Sequence, residues 1–130
     1  MDEANRSLIA RIQDIGGGAA PLAFGGRWYR SLQMVHAFIC GFEAAQPDEH
    51  YQLLEIFSMW IRARYQTLGG TRSAFTLILE RVGGDDALAF DEFFRLLPDY
   101  LRDLESLGLE GIRAESLKVI EPLAEARRRP

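Results

Sequence analysis

Lysine is almost missing from this chain: Lys118 stands alone beside fourteen arginines. Cysteine occurs once, at Cys40, so no internal disulfide can form. Cys40 lies in an apolar stretch with no positive neighbour to stabilise a thiolate, and is expected to be buried and inert. There are two histidines, His36 and His50, and neither stands in HExxH or paired Cys/His spacing, which argues against zinc. His36 borders an apolar face and reads as a structural histidine; His50 reads as solvated. The glycine-rich stretches lack both the GxxxxGK[ST] phosphate cradle and the GxGxxG fingerprint. No apolar run approaches the ~20 residues of a membrane span. The N-terminus has no basic-then-apolar signal layout, so a cytoplasmic location is expected and no membrane partner. A basic footprint for nucleic acid is absent as well, the net charge being −4.

What is present is helix. The 130 residues fit one domain, and 48% of them are hydrophobic. "DEANRSLIARIQDIGGG" begins with acids, ends in glycines and spaces Leu8, Ile9, Ile12 and Ile15 on one face. A loop is expected over 16–26. Leu32, Val35, Phe38, Ile39 and Phe42 give a second helix over 30–46, in which Gly41 would let another helix approach, with Pro47 as its stop. A third follows to Tyr65 through Leu53, Leu54, Phe57, Trp60 and Ile61, with arginines in its last turn. "SAFTLILERV" allows a buried strand, but a strand with no partner elsewhere would stay unpaired, so a short helix is favoured. Gly83 and Gly84 stop it, and Asp85 is placed to cap the next helix. That helix should kink or restart at Pro98 and end at Gly108, before a last amphipathic segment over 112–127 that Pro122 interrupts. The expected fold is all-α: a single domain over 1–130, a bundle of five to six helices with short Gly-rich connections.

Charge is unevenly placed. Residues 85–105 hold seven acids and two bases, a net of −5, while the rest of the chain comes to +1. The D-x-D-x-D-G spacing and closing glutamate of a calcium loop are missing, so no metal or other cofactor is expected. At about 100° per residue, Asp85, Glu92, Asp99 and Asp103 fall within about 40° of one another, opposite Phe90, Phe94, Leu97 and Leu101. They predict an outward acidic ridge, which suits a basic partner by speeding encounter and selecting orientation. An ordinary solvated helix face is the plain alternative. Tyr29, Tyr65 and Tyr100 are candidate contacts, because a tyrosine can leave its hydroxyl exposed. Phe38, Phe42, Phe57, Trp60, Phe90 and Phe93 read as core.

Three segments carry a resemblance. Arg27, Trp28, Tyr29, Ser31, Ala37, Phe38, Gly41 and Phe42 form the first; Phe57, Trp60, Arg64 and Tyr65 the second; Gly84, Asp85, Ala89, Phe90, Phe93, Phe94 and Leu96 the third. In this order, across residues 27–101, they resemble a family of small α-helical immunity proteins encoded beside polymorphic or contact-dependent bacterial toxins. The resemblance implies a non-enzymatic protein that binds and neutralises one cognate toxin domain. Immunity proteins against nucleases are often acidic, so a nuclease with a basic surface is the expected toxin. Asp85, Asp86, Glu92, Asp99 and Asp103 are the expected contacts, with Arg95 and Tyr100 beside them. The rival reading is a helical adaptor or regulatory module that binds another protein or forms a homodimer. A small enzyme with spatially assembled carboxylates is a third, for which the sequence offers no nameable pair.

Overall fold

The computed structural model describes residues 3–16, 30–45 and 52–129. The expected loop after Gly16, Tyr29, His50 and the stop at Pro47 fall outside them. Five helices make up the described chain: α1 (Glu3–Gly16), α2 (Leu32–Ala44), α3 (Gln52–Tyr65), α4 (Ala74–Arg81) and α5 (Asp86–Arg128). The fold is an all-α bundle, and no described helix is long and apolar enough to cross a membrane.

Capping explains several of the boundaries. The Ser31 hydroxyl accepts the Met34 backbone N–H at 3.2 Å and starts α2. Ser73 does the same for Thr76 at 3.2 Å, which fixes the ambiguous apolar run as helix α4. Asp85 caps α5 by accepting from Leu88 at 3.0 Å. The turn before it uses Gly83 (φ 74°) and Gly84 (φ 85°), a conformation that residues with a Cβ rarely adopt.

The core gathers around α3. Phe57 meets Phe93 and Tyr100 edge-on, with ring centroids 5.6 and 5.0 Å apart, and Trp60 meets Tyr100 at 5.4 Å. Leu8, Ile12 and Ile15 of α1 join the same cluster, as do Leu32, Val35 and Ile39 of α2. Phe38 and Phe42 are only partly buried against it. Gly41 is exposed, and among the described residues no helix approaches it.

Two expectations about α5 fail. Pro98 neither kinks the backbone out of helical angles nor restarts the helix, and Pro122 behaves likewise. Proline's fixed φ is already helical, and Pro98 is exposed, so water can serve the carbonyl its missing N–H leaves. The break comes instead at Gly108, with φ 71° and ψ 175°. The first arm (86–107) runs antiparallel to α3, since Asp99 faces Arg64 and Asp103 faces Trp60. The second arm (109–128) runs the other way: Arg113 reaches Glu55 near the start of α3, while Leu123 and Arg127 line a groove with residues 66–72 beyond its end. α5 is therefore a helical hairpin that clasps α3 and turns on one glycine.

Candidate interaction face of the fifth helix

The five carboxylates expected to form the ridge each have a partner. Asp85 is exposed and caps its own helix. Asp86 reaches across to α2, accepting from the Ser31 hydroxyl and, at 3.1 Å, from the Gln33 backbone N–H. It thereby caps a second helix, and beside it Asp91 pairs with Arg30. Glu92 takes a two-pronged contact from Arg95, at 2.8 and 2.5 Å. That hydrogen bond is the main cause holding the Glu92 carboxyl below its ordinary range, and it raises Arg95 in turn. Asp99 accepts from Arg64 at 2.7 Å and from Arg102 at 3.1 Å. Asp103 accepts the Trp60 indole N–H at 2.9 Å.

The helical wheel explains this pairing. The buried residues of the first arm are Ala89, Phe90, Phe93, Leu96, Leu97, Tyr100 and Leu104. At about 100° per residue they span an arc that begins only about 20° from Asp85 and Asp103. The acids therefore flank the buried face, where α3 passes, while Phe94 and Leu101 on the opposite side are only half-buried. Phe90, Phe94, Leu97 and Leu101 mark only the far side of the apolar arc, and Ala89, Phe93, Leu96, Tyr100 and Leu104 carry it round towards the acids. Tyr100 is a further correction: only 3% of it is exposed, so it is a core ring and not a surface contact. Burial, then the charge of Glu43, pushes its hydroxyl well above the usual range.

The outermost charges on this face are arginines. The Arg95 and Arg102 side chains are 63% and 72% exposed, against 19% for Glu92 and 32% for Asp99. Arg64 also lies over the Trp60 ring at 4.9 Å, and Arg81 of α4 over the Tyr65 ring at 4.3 Å. The Tyr65 hydroxyl is buried without a hydrogen-bond partner, and burial raises its pKa. Arg64 belongs to the second resembling segment, but nothing in the local sequence says that it meets Asp99 of α5.

A groove of about 500 Å³ lies between α2 and α4, lined in part by Gln33, His36, Cys40 and Thr76. His36 stacks on Phe75 with centroids 4.2 Å apart, and its burial lowers its pKa. Cys40 is exposed, contrary to expectation, because the buried stripe of α2 runs through Leu32, Val35, Ile39 and Glu43. Burial and then Glu43 nevertheless raise the thiol pKa, which keeps it protonated and weakly nucleophilic. Among the described residues, no three His, Cys, Asp or Glu side chains converge as a metal site. Comparison with protein families, curated proteins and solved structures gives no match to this chain.

Proposed function

We propose that this protein is a non-catalytic immunity protein of a bacterial toxin system, which binds one cognate toxin domain through the outer face of α3 and the first arm of α5. The observation that carries the reading is the row of pre-paired charges on that face. Pairing with Glu92 and Asp99 biases Arg95 and Arg102 outward before a partner arrives. Two of the three resembling segments support it by their placement: Phe57, Trp60 and Arg64 pack against the helix that Asp85 caps and that carries Phe93 and Tyr100. Exposed Arg95 and Arg102 beside Asp85 and the hydrogen-bonded Asp103 make this face mixed in charge. The partner we propose is a toxin domain of mixed surface charge.

The test is co-expression with the toxin domain encoded beside this chain. The native protein should restore growth and bind the purified domain, with an affinity that falls as salt rises. Arg95→Glu with Arg102→Glu should weaken binding at least tenfold while the circular dichroism spectrum stays helical. Unchanged affinity and salt dependence would remove this face from the interface. Failure of the native chain to bind any neighbouring toxin domain would overturn the immunity reading itself.

A further inference from the structure

We infer that α5 opens at Gly108 and that two copies of this chain exchange their second arms, each arm docking on α3 of the other copy. This inference is independent of the toxin reading. It begins with the hinge. Both arms are regular helix and a single residue joins them, with angles (φ 71°, ψ 175°) that essentially only glycine tolerates. The closed turn is also tight: a Cβ added at Gly111 would lie 2.7 Å from the Leu107 Cβ. If Gly108 instead takes helical angles, the arms join as one helix of 43 residues in which neither position needs to be glycine. A one-residue connection leaves little room between the closed turn and the extended helix, and short hinges favour exchange.

The released arm has a defined destination. Ile112 of this arm joins the core cluster, Ser116 is buried, and Leu123 lines a groove with the residues that follow α3. A second copy offers that surface unchanged, including Glu55 as the partner of Arg113. Opening also supplies cover that the closed form lacks. Leu107 is 47% exposed at the turn, and in an exchanged pair it sits where the two α5 helices cross. The closed monomer and the exchanged dimer thus share nearly all their contacts and differ mainly at the hinge.

The experiment combines Gly108→Ala with a crosslink that reports connectivity. Alanine is strained in the closed turn and favoured in the open helix, so the dimer population should rise on the order of a hundredfold over the native chain. Sedimentation velocity reads this. In a Cys40→Ser background, Glu55→Cys and Arg113→Cys joined by a short bismaleimide give a link within one chain when closed and between two chains when exchanged. The expected result is a Gly108→Ala dimer whose links run between chains on a denaturing gel. A folded Gly108→Ala monomer, or a dimer whose links stay within chains, overturns the inference. If circular dichroism shows Gly108→Ala unfolded, the same crosslink is read on the chain with native Gly108 refolded at high concentration. There interchain links uphold the inference and their absence overturns it.

Discussion

The two arms of α5 share one helix and one neighbour, yet α3 holds them very differently. The first arm buries seven residues, three of them aromatic, in the centre of the core. The second buries Ile112 and Ser116. The first reaches α3 through close polar contacts, Asp99 to Arg64 at 2.7 Å and Asp103 to the Trp60 indole at 2.9 Å. The second has Arg113 at 3.9 Å from Glu55, and its other described ion pairs lie within its own helix. Stability in a small domain is not uniform, and segments with few buried contacts open first. One arm is part of the core. The other is fastened to it.

The largest expected effect tests that division. Phe93 is 2% exposed and touches the rings of Phe57, Phe75 and Phe94. Phe93→Ala should lower the free energy of unfolding by about 3–5 kcal/mol in a denaturant titration. Ile112 is as well buried, at 1%, but its loss should cost less. Once the second arm detaches, further weakening of its contacts has no effect, so the penalty is capped by the arm's own docking free energy. Hydrogen exchange should show Ile112→Ala speeding exchange across 109–128 while the first arm keeps its protection. Equal losses of stability in the two variants would merge the arms into one cooperative unit.

Much of this division was legible in the sequence, and the rest has physical reasons. Apolar spacing gives the helices, and Asp85 after two glycines marks the start of α5. Phe57, Trp60, Phe90 and Phe93 are core as expected. The stop at Gly108 was visible, but the reversal was not, because glycine permits both a straight end and a turned-back chain. Pro98 misled, since proline's helix-breaking character depends on whether the carbonyl it leaves faces solvent. The candidate site was the least legible part. Asp86, Asp99 and Asp103 find their partners on α2 and α3, 35 to 55 residues away, and a wheel for one helix cannot show what the next helix presents. Cys40 shows the same limit in miniature: one residue past Ile39 turns about 100° away from the buried stripe.

The middle-sized effects compare the polar contacts of the two arms. Asp103→Ala leaves the part-buried Trp60 indole N–H without its acceptor, which should cost about 1–3 kcal/mol. Indole fluorescence and near-ultraviolet circular dichroism should change with it. Arg113→Ala removes a long ion pair whose carboxylate side chain is 59% exposed. Surface pairs of this kind contribute roughly 0–1 kcal/mol, so its stability should barely move. If Arg113→Ala costs as much as Asp103→Ala, the second arm is tied more firmly than its distances indicate.

The smallest effects are pH dependences, and one of them belongs to the first arm. Arg95 holds the Glu92 carboxyl below its ordinary value of 4.5, so the folded state gives up this proton more readily than the unfolded chain does. The resulting stabilisation is full above the unfolded value and is lost as pH falls through the folded one. Glu92→Gln should therefore be less stable than the native protein near neutral pH, by roughly 0.2–1 kcal/mol for so exposed an arginine partner. The gap should close as the pH drops below the carboxylate range. His36 works in the same direction at higher pH. Its burial against Phe75 lowers its pKa from 6.5, so stability begins to decline once the unfolded chain can take up that proton. His36→Phe should flatten that upper limb and leave the Glu92 limb in place, which separates the two groups in one titration. Glu115 pairs with Lys118 across one turn of the second arm with both side chains more than half exposed, so solvent screens the pair and Glu115→Gln should follow the native curve throughout. A Glu115→Gln curve that departs from it in acid would place a working charge pair where the contacts show only a solvated helix face.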